Sequence, residues 1–79
     1  MTFIQAVSVR LQELLKEKDM KPYGLSMASG VSQTTIGDIK YLRNKSVSTK
    51  ILYDLCQGLG IEITEFFDSP LFLSENITD

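Results

Sequence analysis

The sequence predicts an all-α fold, a compact bundle of five short helices. Three observations carry that prediction. Apolar residues recur three or four positions apart along most of the chain, which is the period of a helix with one buried face. No segment alternates apolar and polar residues for more than a few positions, so no half-buried strand is indicated. The apolar stretches are punctuated by Ser or Thr ahead and Gly behind, the residues that open and close helices. With 79 residues there is room for one small domain, and 43% hydrophobic residues are enough for an ordinary core.

Each element has its own reason. Ile4, Val7, Leu11, Leu14 and Leu15 form one stripe on a first helix over residues 3–18, and Arg10, Gln12, Glu13, Lys16 and Glu17 take its solvated side. Pro22 suits the first turn of a second helix, residues 22–29, because its missing N–H is not needed there; Gly30 ends it. Ser32 caps a third helix over residues 33–42. Thr34, Thr35 and Gly37 are poor helix formers, so packing through Ile36 and Ile39 must hold it. Residues 43–47 are polar and basic and form a loop. Ser48 or Thr49 opens a fourth helix that runs to Leu59 with the stripe Ile51, Leu52, Leu55, Cys56 and Leu59, and Gly60 stops it. A last short helix near residues 63–68 carries Ile63, Phe66 and Phe67, and Pro70 blocks its continuation.

Composition excludes several kinds of chemistry. One Cys cannot build an internal disulfide, and the absence of His removes Cys/His zinc sites, the usual general base and the His-dependent nucleophile triads. No Gly-rich phosphate loop and no paired carboxylates in a cleft context are found, so no enzyme is expected and no cofactor is implied. Cys56 lies on an apolar stripe with no basic neighbour to activate it, and reads as a core thiol. The longest charge-free run is 16 residues, rich in Gly, Ser and Thr, too short and too polar to span a bilayer; a soluble, cytoplasmic protein is expected. The net charge of −2 has the wrong sign for wrapping nucleic acid. Its distribution answers that objection. Residues 1–21 carry +1, residues 22–53 carry +3 from Lys40, Arg43, Lys45 and Lys50 against Asp38, and residues 54–79 carry six acids and no base.

The middle of the chain holds the functional constellation. A short helix, a turn centred on Gly30 with Val31 to plug the angle, and a second helix opened by Ser32 make a helix-turn-helix layout. With Leu25, Ile36 and Ile39 turned inward, the 100° step of a helix leaves Gln33, Thr34, Gly37 and Asp38 on the outer side. Those residues suit a major groove: Gln can read adenine bidentately, Thr can meet thymine, and Asp can accept from cytosine N4. The helix N-terminus at Ser32 favours a phosphate. Lys40 and Tyr41 in the last turn of the reading helix, and Arg43, Asn44 and Lys45 just after it, stand where phosphate contacts flank such an element.

The run Leu25-x4-Gly30-Val31-Ser32-x3-Ile36-x2-Ile39, followed by Leu52-x2-Leu55-Cys56-x2-Leu59-Gly60-Ile61 and then Glu65-Phe66-Phe67, resembles the Cro/cI-type (XRE) helix-turn-helix family of phage repressors and bacterial regulators. The likeness covers about residues 9–67. It implies a lambda repressor-like bundle whose third helix reads double-stranded DNA, usually as a homodimer on a palindromic operator, and so a transcriptional repressor. Residues 1–69 would form that DNA-binding domain, and residues 70–79 a tail whose Leu71, Phe72 and Leu73 either cover their own core or make a dimer contact. With no second domain, no small-molecule effector site is evident. Four departures stand out. Pro22 replaces a Gln that in the family braces a phosphate. Leu15 and Lys40 replace an Arg–Glu pair, and both partners are lost together. Leu42 replaces the Gly after helix three, which is expected to lengthen or reshape that end. The loop after it is one residue longer and lacks its Pro. A rival reading keeps the fold but makes it a protein-interaction module, an antitoxin or adaptor, and the acidic C-terminal part and Pro22 favour it.

Overall fold

The computed structural model describes residues 1–79. Five α-helices follow in order: α1 Phe3–Glu17, α2 Pro22–Ser29, α3 Gln33–Lys40, α4 Thr49–Leu59 and α5 Ile63–Phe67. Two single turns of 3₁₀ helix, Pro70–Phe72 and Ser74–Asn76, complete the chain. Ser32 and Ser48 cap α3 and α4 through their side-chain oxygens, which accept from Thr35 N and Ile51 N. At α1 the cap is reciprocal: Thr2 Oγ1 accepts from Gln5 N, and Gln5 Oε1 accepts from Thr2 N at 2.8 Å.

The helical stripes meet in one core. Ile4, Val7, Leu11, Leu14 and Leu15 of α1, Leu25 of α2, Ile36 and Ile39 of α3, and Leu52, Leu55, Cys56 and Leu59 of α4 are all buried in it, together with Val31, Ile61 and Phe66. Full burial of each such side chain contributes about 1.5–3 kcal/mol. Helix α2 lies close against α4. At Gly58 an added Cβ would stand 2.7 Å from Ser29 Cβ and 3.0 Å from the Ser29 backbone, so only hydrogen lets the two helices approach this far.

The end of α3 differs from the expected one. The helix stops at Lys40 rather than at Leu42, because Leu42 takes the left-handed conformation, φ +57°. Leu42 N donates to the Ile39 carbonyl at 3.3 Å and Arg43 N to the Asp38 carbonyl at 2.9 Å. That pair of bonds is the Schellman closure, normally built around Gly. Leu42 therefore keeps the turn geometry that Gly would give. Its side chain does not lengthen the helix, and the strain of about 1–2 kcal/mol is offset by the two closure bonds. Gly30 takes the same conformation, φ +77°, at the bend between α2 and α3, and Val31 is buried directly after it.

The tail folds back on the N-terminus. Phe72 joins Phe3, Phe66 and Phe67 in an aromatic cluster, its ring 4.9 Å from that of Phe67 and 5.9 Å from that of Phe3. Thr78 N donates to the Met1 carbonyl at 2.9 Å, and Phe3 N donates to Asp79 Oδ1 at 2.8 Å. Leu71 and Phe72 are half-buried, whereas Leu73 is exposed.

Candidate nucleic-acid interface

Helix α3 sits with its inner face pinned and its outer face open. Ile36 and Ile39 are buried, Gln33 and Thr34 are exposed, and Gly37 and Asp38 are half-buried beside them. Its position along the body is fixed from α1. The buried Ser8 hydroxyl donates to the Lys40 carbonyl at 3.0 Å, and Gln12 Nε2 donates to Ser8 Oγ at 3.1 Å. One of the carbonyls left open at the end of a helix is thus satisfied from another helix. Ser8 lies on the α1 stripe between Val7 and Leu11; a small hydroxyl residue at a core position is the sequence signal that points to such a buried bond.

The structure brings most of the expected residues into one shallow concavity. Gln33, Thr34, Gly37, Asp38, Lys40, Tyr41 and Arg43 line it, with Pro22 at its rim. Asn44 and Lys45 instead line a second hollow, formed with Thr2, Gln5 and Leu42 beside the start of α1. Ser32 sits at the N-terminus of α3 with its Oγ occupied twice, accepting from Thr35 N at 3.1 Å and donating to Thr35 Oγ1 at 3.0 Å.

Charges around α3 are more compensated than their number implies. Arg43 Nη1 lies 3.2 Å from Asp38 Oδ1, and Asn44 Nδ2 donates to Asp38 Oδ2 at 3.4 Å. Lys50 Nζ lies 2.6 Å from Asp54 Oδ1 one turn along α4. That hydrogen bond and the carboxylate charge raise the Lys50 pKa above its ordinary value. Lys40 and Lys45 have no carboxylate within 4.0 Å and stay open to an anionic partner. Tyr41 is exposed, with the Lys40 ammonium 5.4 Å and the Arg43 guanidinium 5.1 Å from its ring centre.

Arg10 departs from the solvated place its spacing implied. Its Nε donates to the Phe66 carbonyl and its Nη2 to the Glu65 carbonyl, both at 2.8 Å. It closes the C-terminal end of α5 from α1. Cys56 is fully buried, and burial pushes its thiol up to about 11, with the nearby Glu65 charge adding to the effect. No group of three or more Cys, Asp or Glu is placed to hold a metal ion. No helix is long and apolar enough to cross a membrane.

A gly-bent pair of helices, the second pinned inward by isoleucines and presenting a small polar face beside open cations, defines a helix-turn-helix DNA-binding module. The chain belongs to the family of Cro/C1-type HTH DNA-binding domains, whose model matches residues 10–70. No curated protein and no solved structure matches it.

Proposed function

We propose that the protein is a cytoplasmic transcriptional repressor that binds a palindromic operator as a homodimer, reading bases with the outer face of α3. The observation that carries this reading is the exposure of Gln33 and Thr34 on a helix whose other face is buried, with Gly37 and Asp38 next along the same surface. Gln33 and Thr34 are the base-reading side chains. The α3 N-terminus at Ser32, with Lys40, Tyr41 and Lys45, faces the phosphates. A body of 34 × 24 × 21 Å allows two copies side by side to set their reading helices near the roughly 34 Å repeat of adjacent major grooves. The last 26 residues carry net −6; their acids at α4 and α5 face away from DNA, whereas Asp79 shares the hollow that Lys45 lines.

The test is binding to the gene's own upstream DNA across a salt series. Gln33→Ala is expected to weaken specific binding about 5- to 100-fold while leaving binding to random duplex unchanged. Lys45→Ala is expected to weaken both and to reduce the salt slope by about 0.9. Equal loss of both kinds of binding in Gln33→Ala refutes base reading. The pairing of Arg43 with Asp38 and of Lys50 with Asp54 favours a second reading, a protein-interaction module of the same fold. Absence of salt-dependent DNA binding at low ionic strength would select it.

A further inference from the structure

We infer that Arg43 is a specificity-determining residue that reads guanine, and that Asp38 positions it rather than reading a base itself. This rests on the DNA-reading role proposed for α3. The Schellman closure turns the chain back at Leu42, with Arg43 N bonded to the Asp38 carbonyl at 2.9 Å. The Arg43 side chain then runs back over the last turn of α3 instead of out along the loop. Its Nη1 reaches the Asp38 carboxylate at 3.2 Å. It also lies 3.0 Å from the point where a Cβ on residue 37 would stand. A side chain at 37 would press on the guanidinium and shift it by a few tenths of an ångström. The Tyr41 ring, 5.1 Å from the guanidinium carbon, forms the other wall.

Two contacts, the Asp38 carboxylate and the Tyr41 ring, therefore place one planar cation over Gly37, in the same concavity as Gln33 and Thr34. A phosphate contact needs none of this, because Lys40 and Lys45 are already open for that purpose. A base contact does, since reading requires a fixed fork. Asp38 takes a donor on one edge of the guanidinium, which leaves the Nε–Nη2 edge for two parallel bonds to guanine O6 and N7. Holding the fork in place before binding lowers the ordering cost of that contact. The second Asp38 oxygen accepts from Asn44 Nδ2 at 3.4 Å, so each carboxylate oxygen already has one protein donor, which favours a positioning role over accepting from cytosine N4.

The experiment starts with selection of duplexes from a randomised library by the full chain at about 50 mM salt. The winning duplex is then titrated with each guanine replaced singly by 7-deazaguanine, which lacks N7. One replacement is expected to weaken the unmodified protein about 10-fold and to have no effect on Arg43→Ala. Arg43→Lys is expected to keep only part of that sensitivity, because an ammonium can still donate to N7 but lacks the planar fork. Asp38→Ala is expected to lose the same sensitivity although Arg43 is present, and circular dichroism should show both variants folded. If Arg43→Ala weakens selected and random duplex equally and keeps the 7-deazaguanine sensitivity, Arg43 is a phosphate contact and the inference is overturned. If Asp38→Ala removes a cytosine preference and leaves that sensitivity intact, the positioning role is overturned. If the unmodified chain enriches no duplex, DNA reading itself fails and this inference with it, a result visible before any variant is made.

Discussion

Replacing Arg10 with Met removes the fork that closes α5 while keeping most of the side chain's length and apolar stem. The Nε bond to the Phe66 carbonyl is part-buried, and a hydrogen bond from a charged donor in such a place contributes about 1.5 kcal/mol or slightly more. The Nη2 bond to the Glu65 carbonyl is exposed and is worth about 0.5 kcal/mol after competition with water. The Glu13 carboxylate stands 3.7 Å from Nη1 with half of its side chain exposed, and such a surface pair adds close to nothing. The total loss is about 2 kcal/mol. A domain of this size loses roughly 4–8 °C of Tm per kcal/mol, so Tm should fall by about 10 °C. Urea denaturation followed by circular dichroism should show a lower midpoint at unchanged slope. Arg10→Lys keeps the charge without the planar fork, and should recover less than half of the loss. DNA affinity measured well below the melting range should not change, because Arg10 bonds to α5 and lines none of the surface around Gln33 and Thr34. A loss under about 0.5 kcal/mol in Arg10→Met, or full stability in Arg10→Lys, refutes the reasoning.

Two further outcomes follow from buried groups. Ser8→Ala leaves the Lys40 carbonyl without its donor and should cost about 1 kcal/mol in urea melts; it should also lower DNA affinity by releasing the end of α3, and unchanged affinity would show that the bond does not position the reading helix. The Cys56 thiol is held neutral by burial, with its pKa raised to about 11 in the folded chain, so the folded state keeps that proton longer than the unfolded state. The corresponding stability is intact below about pH 9 and is lost as pH rises through about 11, a loss on the order of 1–3 kcal/mol. Cys56→Ala should abolish that part of the alkaline decline and leave the part due to Lys50. An equally steep decline in the variant would place its origin elsewhere.

How much of this was legible beforehand differs from element to element. The five helices and the core stripes follow from spacing alone, since a helix repeats its own face every three or four residues. The end of α3 was misplaced because Leu is a good helix former. The left-handed turn at Leu42 is enforced by closure bonds to Ile39 and Asp38, and Leu shows no sign of that conformation in sequence. Arg10 was assigned to water because it lies opposite the apolar stripe, yet its partners are 55 and 56 positions away. Nothing in a list of residues shows that Arg43 returns to Asp38 over Gly37, because that depends on the left-handed turn at Leu42.

The sequence by itself determined the class of fold, the helix-turn-helix, the family, and the face of α3 that stays outside the core. All of these depend on short-range spacing and on the sign of a hydrophobic surface. Only the tertiary structure decided which cations are open and which are neutralised, what holds α3 in place, and where the C-terminal tail lies. Those are choices of partner between distant residues, fixed by distance and direction once the core has closed. Lys40 and Arg43 differ little as letters in a basic run, but the fold leaves one open and clamps the other against a carboxylate.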